Sequence, residues 1–182
     1  MPSKGLRISE GAVGGIIPRM PAENLSHLDD QGRARMVDVS AKPETDRWAV
    51  ARGHVLMAPE TLRVARAGDL KKGDLRAVAE LAGVMAAKRT AELIPLCHPL
   101  PLTQIDVQLA YDDALPGAVL TATVRTTGRT GVEMEAMTAV TVAALAVYDM
   151  IKGIDRRARI TDVRLIEKHG GRSGDLVLEP DR

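Results

Sequence analysis

Aromatic side chains are almost missing from this chain: its 182 residues include no Phe, one Trp and two Tyr. An RNA-binding sheet needs aromatic platforms on its central strands for bases to stack on, and Tyr111 is the only Tyr in an expected strand. That class is set aside. The core must instead be built from Ala, Val, Leu, Ile and Met, whose small side chains allow backbones to approach closely. Cysteine is scarce too. Cys97 alone rules out an internal disulfide framework and fits a reducing compartment, so a cytoplasmic protein is expected. The formal net charge is only +1, so nothing draws the whole chain towards nucleic acid or an anionic membrane. No uninterrupted run of about 18 apolar residues occurs, and the N-terminus lacks a basic segment leading into an apolar core and a cleavage site. A membrane partner is not expected. His27, His54, His98 and His169 are scattered, and neither CxxC nor HExxH is present, so no metal site is expected.

What remains suits one domain of residues 24–182 behind a Gly- and Pro-containing arm, residues 1–23, read as flexible. Hydrophobic residues make up 45% of the chain, enough for a sizeable core. Residues 36–40 and 48–57 alternate like strands. Pro59 opens a short helix to about Ala67, and Asp74 caps a longer one reaching about Leu93. Pro95, Pro99 and Pro101 force an extended link. Residues 103–111 and 118–127 alternate around a turn at 112–117. A second long helix is expected over 134–154, a last strand over 159–167, and a glycine-rich segment over 168–174. The order β-β-α-α-β-β-α-β argues for an α+β sandwich, an antiparallel sheet with helices on one face, with a ferredoxin-like plan as first choice.

The helix over 134–154 holds the sharpest problem. Between Met137 and Val147 its only polar atoms belong to Thr138 and Thr141, yet Glu133 and Glu135 stand at its start and Asp149 and Lys152 at its end. An all-apolar helix is normally buried, and buried ionisable groups need a partner or a role. Glu135 and Asp149 lie about 40° apart around the axis, hence on one face, but roughly 21 Å apart along it. One small ligand does not readily reach both from a single copy. An antiparallel copy of the helix would bring one start beside the other end. The plainer readings are that the two glutamates complement the helix dipole, and that Asp149 and Lys152 form an i,i+3 ion pair worth about 0.2–0.5 kcal/mol.

Other segments carry weaker signals. Two prolines bracket Cys97-His98 on a stiff loop, as binding residues are often presented. A Cys–His nucleophilic pair is geometrically poor there, because neighbours in extended chain point to opposite sides. A buried structural Cys beside a hydrogen-bonded His, or His98 as a donor to substrate, are the alternatives. Lys71-Lys72-Gly73-Asp74 precedes a helix N-terminus, an arrangement that suits phosphate but is no Walker loop. Between Lys152 and Arg172 seven Lys/Arg face three acids, a candidate anion-binding surface.

Taken in order, His27-Leu-Asp, Met36-Val-Asp-Val-Ser40, Ala86-Ala-Lys-Arg-Thr90, Ile94-Pro-Leu-Cys-His-Pro-Leu100, Thr130-Gly-Val-Glu-Met-Glu-Ala136 and Tyr148-Asp-Met-Ile-Lys152 resemble the molybdenum cofactor biosynthesis protein C family of cyclic pyranopterin monophosphate synthases. The similarity runs over about residues 24–174. It implies a ferredoxin-like lyase that turns a 3',8-cyclo-7,8-dihydroguanosine 5'-triphosphate into cyclic pyranopterin monophosphate and diphosphate. It also implies a hexamer built as a trimer of dimers, with the site at a dimer interface. The matching positions make Asp149 the catalytic acid/base, with Lys152 and Lys72 as its cationic neighbours. Leu96, Cys97, His98, Met134 and Glu135 would line the substrate pocket, and Glu133, Arg47 and Lys168 would lie near the ligand. No resident cofactor is expected, and assistance by Mg2+ is left open. The competing class is a non-catalytic ferredoxin-like sensor of a phosphorylated metabolite, which would share the basic patch but not need Asp149.

Overall fold

A computed structural model describes residues 31–179; the arm expected over residues 1–23 and the His27 motif lie outside the described residues. The elements are β1 (Thr45–Leu56), α1 (Pro59–Ala67), α2 (Leu75–Ala87), α3 (Thr90–Leu93), β2 (Leu102–Asp112), β3 (Gly117–Gly128), α4 (Glu133–Ile151), β4 (Arg159–His169) and β5 (Leu176–Val177). The strands form one sheet in the order β2-β3-β1-β4-β5, and every neighbouring pair is antiparallel. A β-α-β-β-α-β path with its first strand between the third and the fourth is the ferredoxin-like plan expected from the sequence.

Local chemistry explains most boundaries. Pro59 opens α1 and Gly68, at φ 78°, closes it, where a left-handed residue ends a helix at least cost in glycine. The Asp74 carboxylate accepts from the Ala77 amide at 3.1 Å and caps α2. The α1 N-terminus is capped from far away: Asp155, after α4, accepts from the Ala58 amide at 2.8 Å and from the Arg157 amide at 2.9 Å. Instead of running to Leu93, the helix after Asp74 stops at Ala87. The Thr90 hydroxyl donates to the Ala87 carbonyl at 3.0 Å, so a side chain satisfies an end carbonyl and α3 begins separately.

The alternation over 36–40 does not produce a strand. Both edges of β1 are already taken by β3 and β4, and the segment bends where the Ser40 amide donates to Asp38 at 2.9 Å. A short closing strand, β5, adds to the expected order; two residues give no periodicity to read.

The core lies between the sheet and α4. Leu109, Leu120, Val55, Val124, Val140, Val147 and Ile151 are fully buried, each such side chain contributing about 1.5–3 kcal/mol. By length and composition α4 could cross a membrane, but more than half of it is buried inside this fold, where it packs against α2, β1, β3 and β4. No described element covers its outer side. Met134, Thr141, Leu145 and Asp149 are exposed, with Met137 and Tyr148 half-exposed between them, at steps of three and four residues that keep them on one stripe. The Thr141 hydroxyl turns back to the Met137 carbonyl at 2.8 Å, which leaves the stripe apolar.

Candidate active site

The chain order places the N-terminus of α4 beside the last residues of β3, the first of β1 and the link before β2. That link is not extended throughout as expected: it turns over 94–97, the Cys97 amide donating to the Ile94 carbonyl at 3.0 Å, and runs extended only from there. Six of the expected substrate-facing residues converge there. Leu96, Cys97, His98, Glu133, Met134 and Glu135 line one cavity of about 360 Å³, together with Val37, Val39, Lys42 and Thr130. The segment that failed to become a strand forms one wall: the His98 Nε2–H donates to the Val37 carbonyl at 2.8 Å. That ring nitrogen is therefore committed to the protein, and Nδ1 is the one left to meet a ligand, as an acceptor while the ring is neutral.

The two glutamates at the helix start have different surroundings. Glu133 folds back on Gly131, where any Cβ would collide with its carboxylate; the glycine makes room for the acid. Glu135 is only 4% exposed. Burial, with a smaller push from Glu133, raises its pKa to about 7, so near neutrality it can both give and take a proton. Burial also pushes the Cys97 thiol upward, and Glu135 adds to that. Cys97 is a thiol, not a poised thiolate, which disfavours a nucleophilic role.

Arg47 and Lys168 lie at the same end of the sheet but do not line this cavity. Arg47 Nε donates to the Gly128 carbonyl at 2.9 Å, two residues before Thr130. Lys168 Nζ donates to Ser173 Oγ and to the Gly174 carbonyl, each at 2.6 Å.

Asp149, Lys152 and Lys72 meet at the other end of α4. Lys152 Nζ bonds Asp149 Oδ1 and Lys72 Nζ bonds Asp149 Oδ2, both at 2.6 Å, and Lys72 also reaches the Asp149 carbonyl oxygen at 2.7 Å. Lys152 and then Lys72 hold the Asp149 pKa down to about 2, while Asp149 raises that of Lys152. In this arrangement Asp149 is ionised near neutral pH and orients two ammonium groups. All three side chains are about half exposed. Beside them lies a cavity of about 490 Å³ lined by Lys71, Lys72, Lys152 and Arg156 over an apolar floor that includes Val64, Leu70 and Met150.

The expected residues thus form two clusters, separated along α4 by the roughly 21 Å that its rise dictates. Lys42 is the cation that sequence reasoning missed; it follows a turn closed by its own amide on the Val39 carbonyl and belongs to no charge pattern. Among the described residues no group of three or more His, Cys, Asp or Glu gathers where a metal ion could sit.

Comparison with known proteins points to a single family. Residues 36–171 match the MoaC family. A cyclic pyranopterin monophosphate synthase of Dinoroseobacter shibae is 60% identical over 155 residues, which cover 85% of this chain and 98% of that protein. One from Roseiflexus sp. is 60% identical over 154 residues, 85% of this chain and 98% of its own. That of Thermomicrobium roseum is 59% identical over 157 residues, 86% of this chain and 95% of its own.

Proposed function

This chain belongs to the MoaC family, and from that premise we propose that it is a cyclic pyranopterin monophosphate synthase. It is a lyase of molybdenum cofactor biosynthesis, converting (8S)-3',8-cyclo-7,8-dihydroguanosine 5'-triphosphate to cyclic pyranopterin monophosphate with release of diphosphate. The observation that carries the reading at residue level is the convergence of six expected substrate-facing side chains on one cavity at the start of α4.

The complete site is proposed to lie between two copies, within a hexamer made as a trimer of dimers. Two facts support this. The half-sites are too far apart for one ligand to bridge within a chain, and a stripe on α4 that no described residue covers runs from Met134 at one half-site to Asp149 at the other. An isologous antiparallel contact along that stripe would set each Glu135 pocket beside its partner's lysine–aspartate cluster.

In the assembled site the proposed roles follow from charge and proton affinity. Lys72, Lys152, Arg47 and Lys168 meet the triphosphate and the charge that grows on the departing diphosphate. Asp149 holds the two lysines in place, and enclosure by the second copy dries them, which lowers a lysine's proton affinity and lets one donate a proton. Glu135, poised near neutrality, exchanges protons with the purine-derived ring or sugar hydroxyls. Leu96, Cys97, His98, Met134 and Glu133 shape the pocket. Closing the cyclic phosphate needs a sugar hydroxyl in line with the α-phosphorus, which is largely a matter of positioning. This scheme uses no resident cofactor; Mg2+ enters it only as a companion of the triphosphate. A cytoplasmic location is part of the proposal, supported by the lone free thiol.

The Asp149→Asn variant tests the catalytic reading. Neutralising the carboxylate is expected to lower turnover by about 10²-fold or more while the fold survives. Undiminished synthase activity in a folded variant would remove Asp149 from the chemistry and favour a non-catalytic metabolite sensor.

A further inference from the structure

The face of the sheet turned away from α4 carries a three-residue ladder. Trp48 of β1 stands in register with Arg125 of β3 and His169 of β4. The His169 ring stacks on the indole at 3.9 Å and 9° between planes, and the Arg125 guanidinium lies 5.5 Å from the indole centroid. His169 also sits between two carboxylates, with Nε2 3.3 Å from Glu167 and Nδ1 3.2 Å from Asp175. The other oxygen of Asp175 accepts from the Gly170 amide at 3.0 Å. His169 and Asp175 together therefore close the base of the 170–174 loop. That loop is what Lys168 and Arg47 rest on. Lys168 Nζ is bonded to Ser173 and Gly174, and Gly171, at φ +77°, lies so near the Arg47 guanidinium that a Cβ there would collide with it.

We propose that His169 is a positioning residue for the substrate-binding cations: protonated, it clasps the 170–174 loop and fixes Lys168 and Arg47, and neutral, it releases them. The inference rests on the assignment of Lys168 and Arg47 to the substrate made above. As a cation His169 donates to both carboxylates at once. As a neutral ring it has one N–H, so one carboxylate faces a lone pair. The charged groups around it are Glu167 on its own strand, Asp175 across the loop and Arg125 beyond the indole. Burial opposes the charge on His169, but Glu167 and Asp175 outweigh it and hold the pKa above the ordinary 6.5. The clasp is closed below that pKa and opens as pH rises through it.

Trp48 is the only Trp, so indole emission from the full chain reports this stack directly. Emission is expected to titrate with a midpoint above 6.5, and KM for the cyclic dihydroguanosine triphosphate is expected to rise about threefold or more through the same midpoint, with kcat little changed. His169→Gln should abolish both transitions, and Asp175→Asn should move both midpoints down together. Emission that does not titrate, or that titrates unchanged in His169→Gln or Asp175→Asn, overturns the proposal. So does a flat KM across the emission midpoint in a protein whose Lys168→Ala variant binds substrate more weakly. An unaltered KM in Lys168→Ala would instead overturn the assignment of Lys168 to substrate, so the two failures are told apart.

Discussion

Replacing Glu135 with Gln should stabilise this protein at alkaline pH and hardly affect it in mild acid. The carboxyl is 4% exposed, and its pKa stands at about 7 against an ordinary 4.5. A folded-state pKa raised this far means the folded chain holds a proton that the unfolded chain has lost, so stability falls as pH climbs between the two values. The full penalty above about pH 7 is about 3 kcal/mol, of which about a quarter is present at about pH 5. Gln keeps the size and removes the ionisation. A second copy would bring Lys72, Lys152 and Asp149 towards Glu135, but that cluster carries a net charge of only +1, which trims the penalty without cancelling it. Thermal unfolding without substrate is the assay: at about pH 8.5 the variant should melt about 5–10 °C higher than the parent, and at about pH 5 within about 2 °C of it. A gap of the same size at both pH values, or a parent that gains on the variant as pH rises, would refute the burial account of Glu135. The same substitution should also slow turnover, because the proton that destabilises the fold is the one offered to the substrate.

Two further outcomes follow from side chains with clear partners. Asp155→Ala strips the cap from the Ala58 and Arg157 amides, and should cost about 2–4 kcal/mol in unfolding experiments at neutral pH. Because those amides hold the Asp155 pKa down, the parent's advantage should fade as pH falls below about 4; an advantage that persisted in acid would point to packing instead. Cys97→Ser should reduce kcat by less than about tenfold, since a half-buried thiol with a raised pKa is a poor nucleophile, whereas a loss of about 10⁴-fold or more would restore the covalent reading.

The elements could be read from the sequence wherever their causes are local. Pro59, Asp74 and the alternation over 103–111 and 118–127 act within a few residues of themselves, and the ferredoxin-like order follows from their succession. The segment over 36–40 alternates just as cleanly and makes no strand, because β1 has no edge left and the Val37 carbonyl is taken by His98. Strand pairing is decided by elements far along the chain, which periodicity does not register. The same holds at the site. The spacing of Glu135 and Asp149 is fixed by helix rise alone, so their separation was calculable. The burial of Glu135 was not, since it depends on the 94–100 link lying against the start of α4, and neither was the place of Lys42 in the pocket wall. The resemblance supplied roles that no local pattern encodes, while the structure adds what each group's surroundings do to its charge.

Site sharing between copies is the central claim, and mixing two inactive subunits tests it most directly. Glu135→Ala damages one half-site and Asp149→Ala the other, each expected to be nearly inactive alone. Co-expressed and purified as mixed dimers carrying two different tags, the pair should regain up to about half the parent's activity per dimer, because an isologous contact would unite one intact Glu135 pocket with one intact lysine–aspartate cluster. Mixed dimers that assemble fully and remain as inactive as either parent variant would show that both half-sites serve their own chain, and would contradict the shared site.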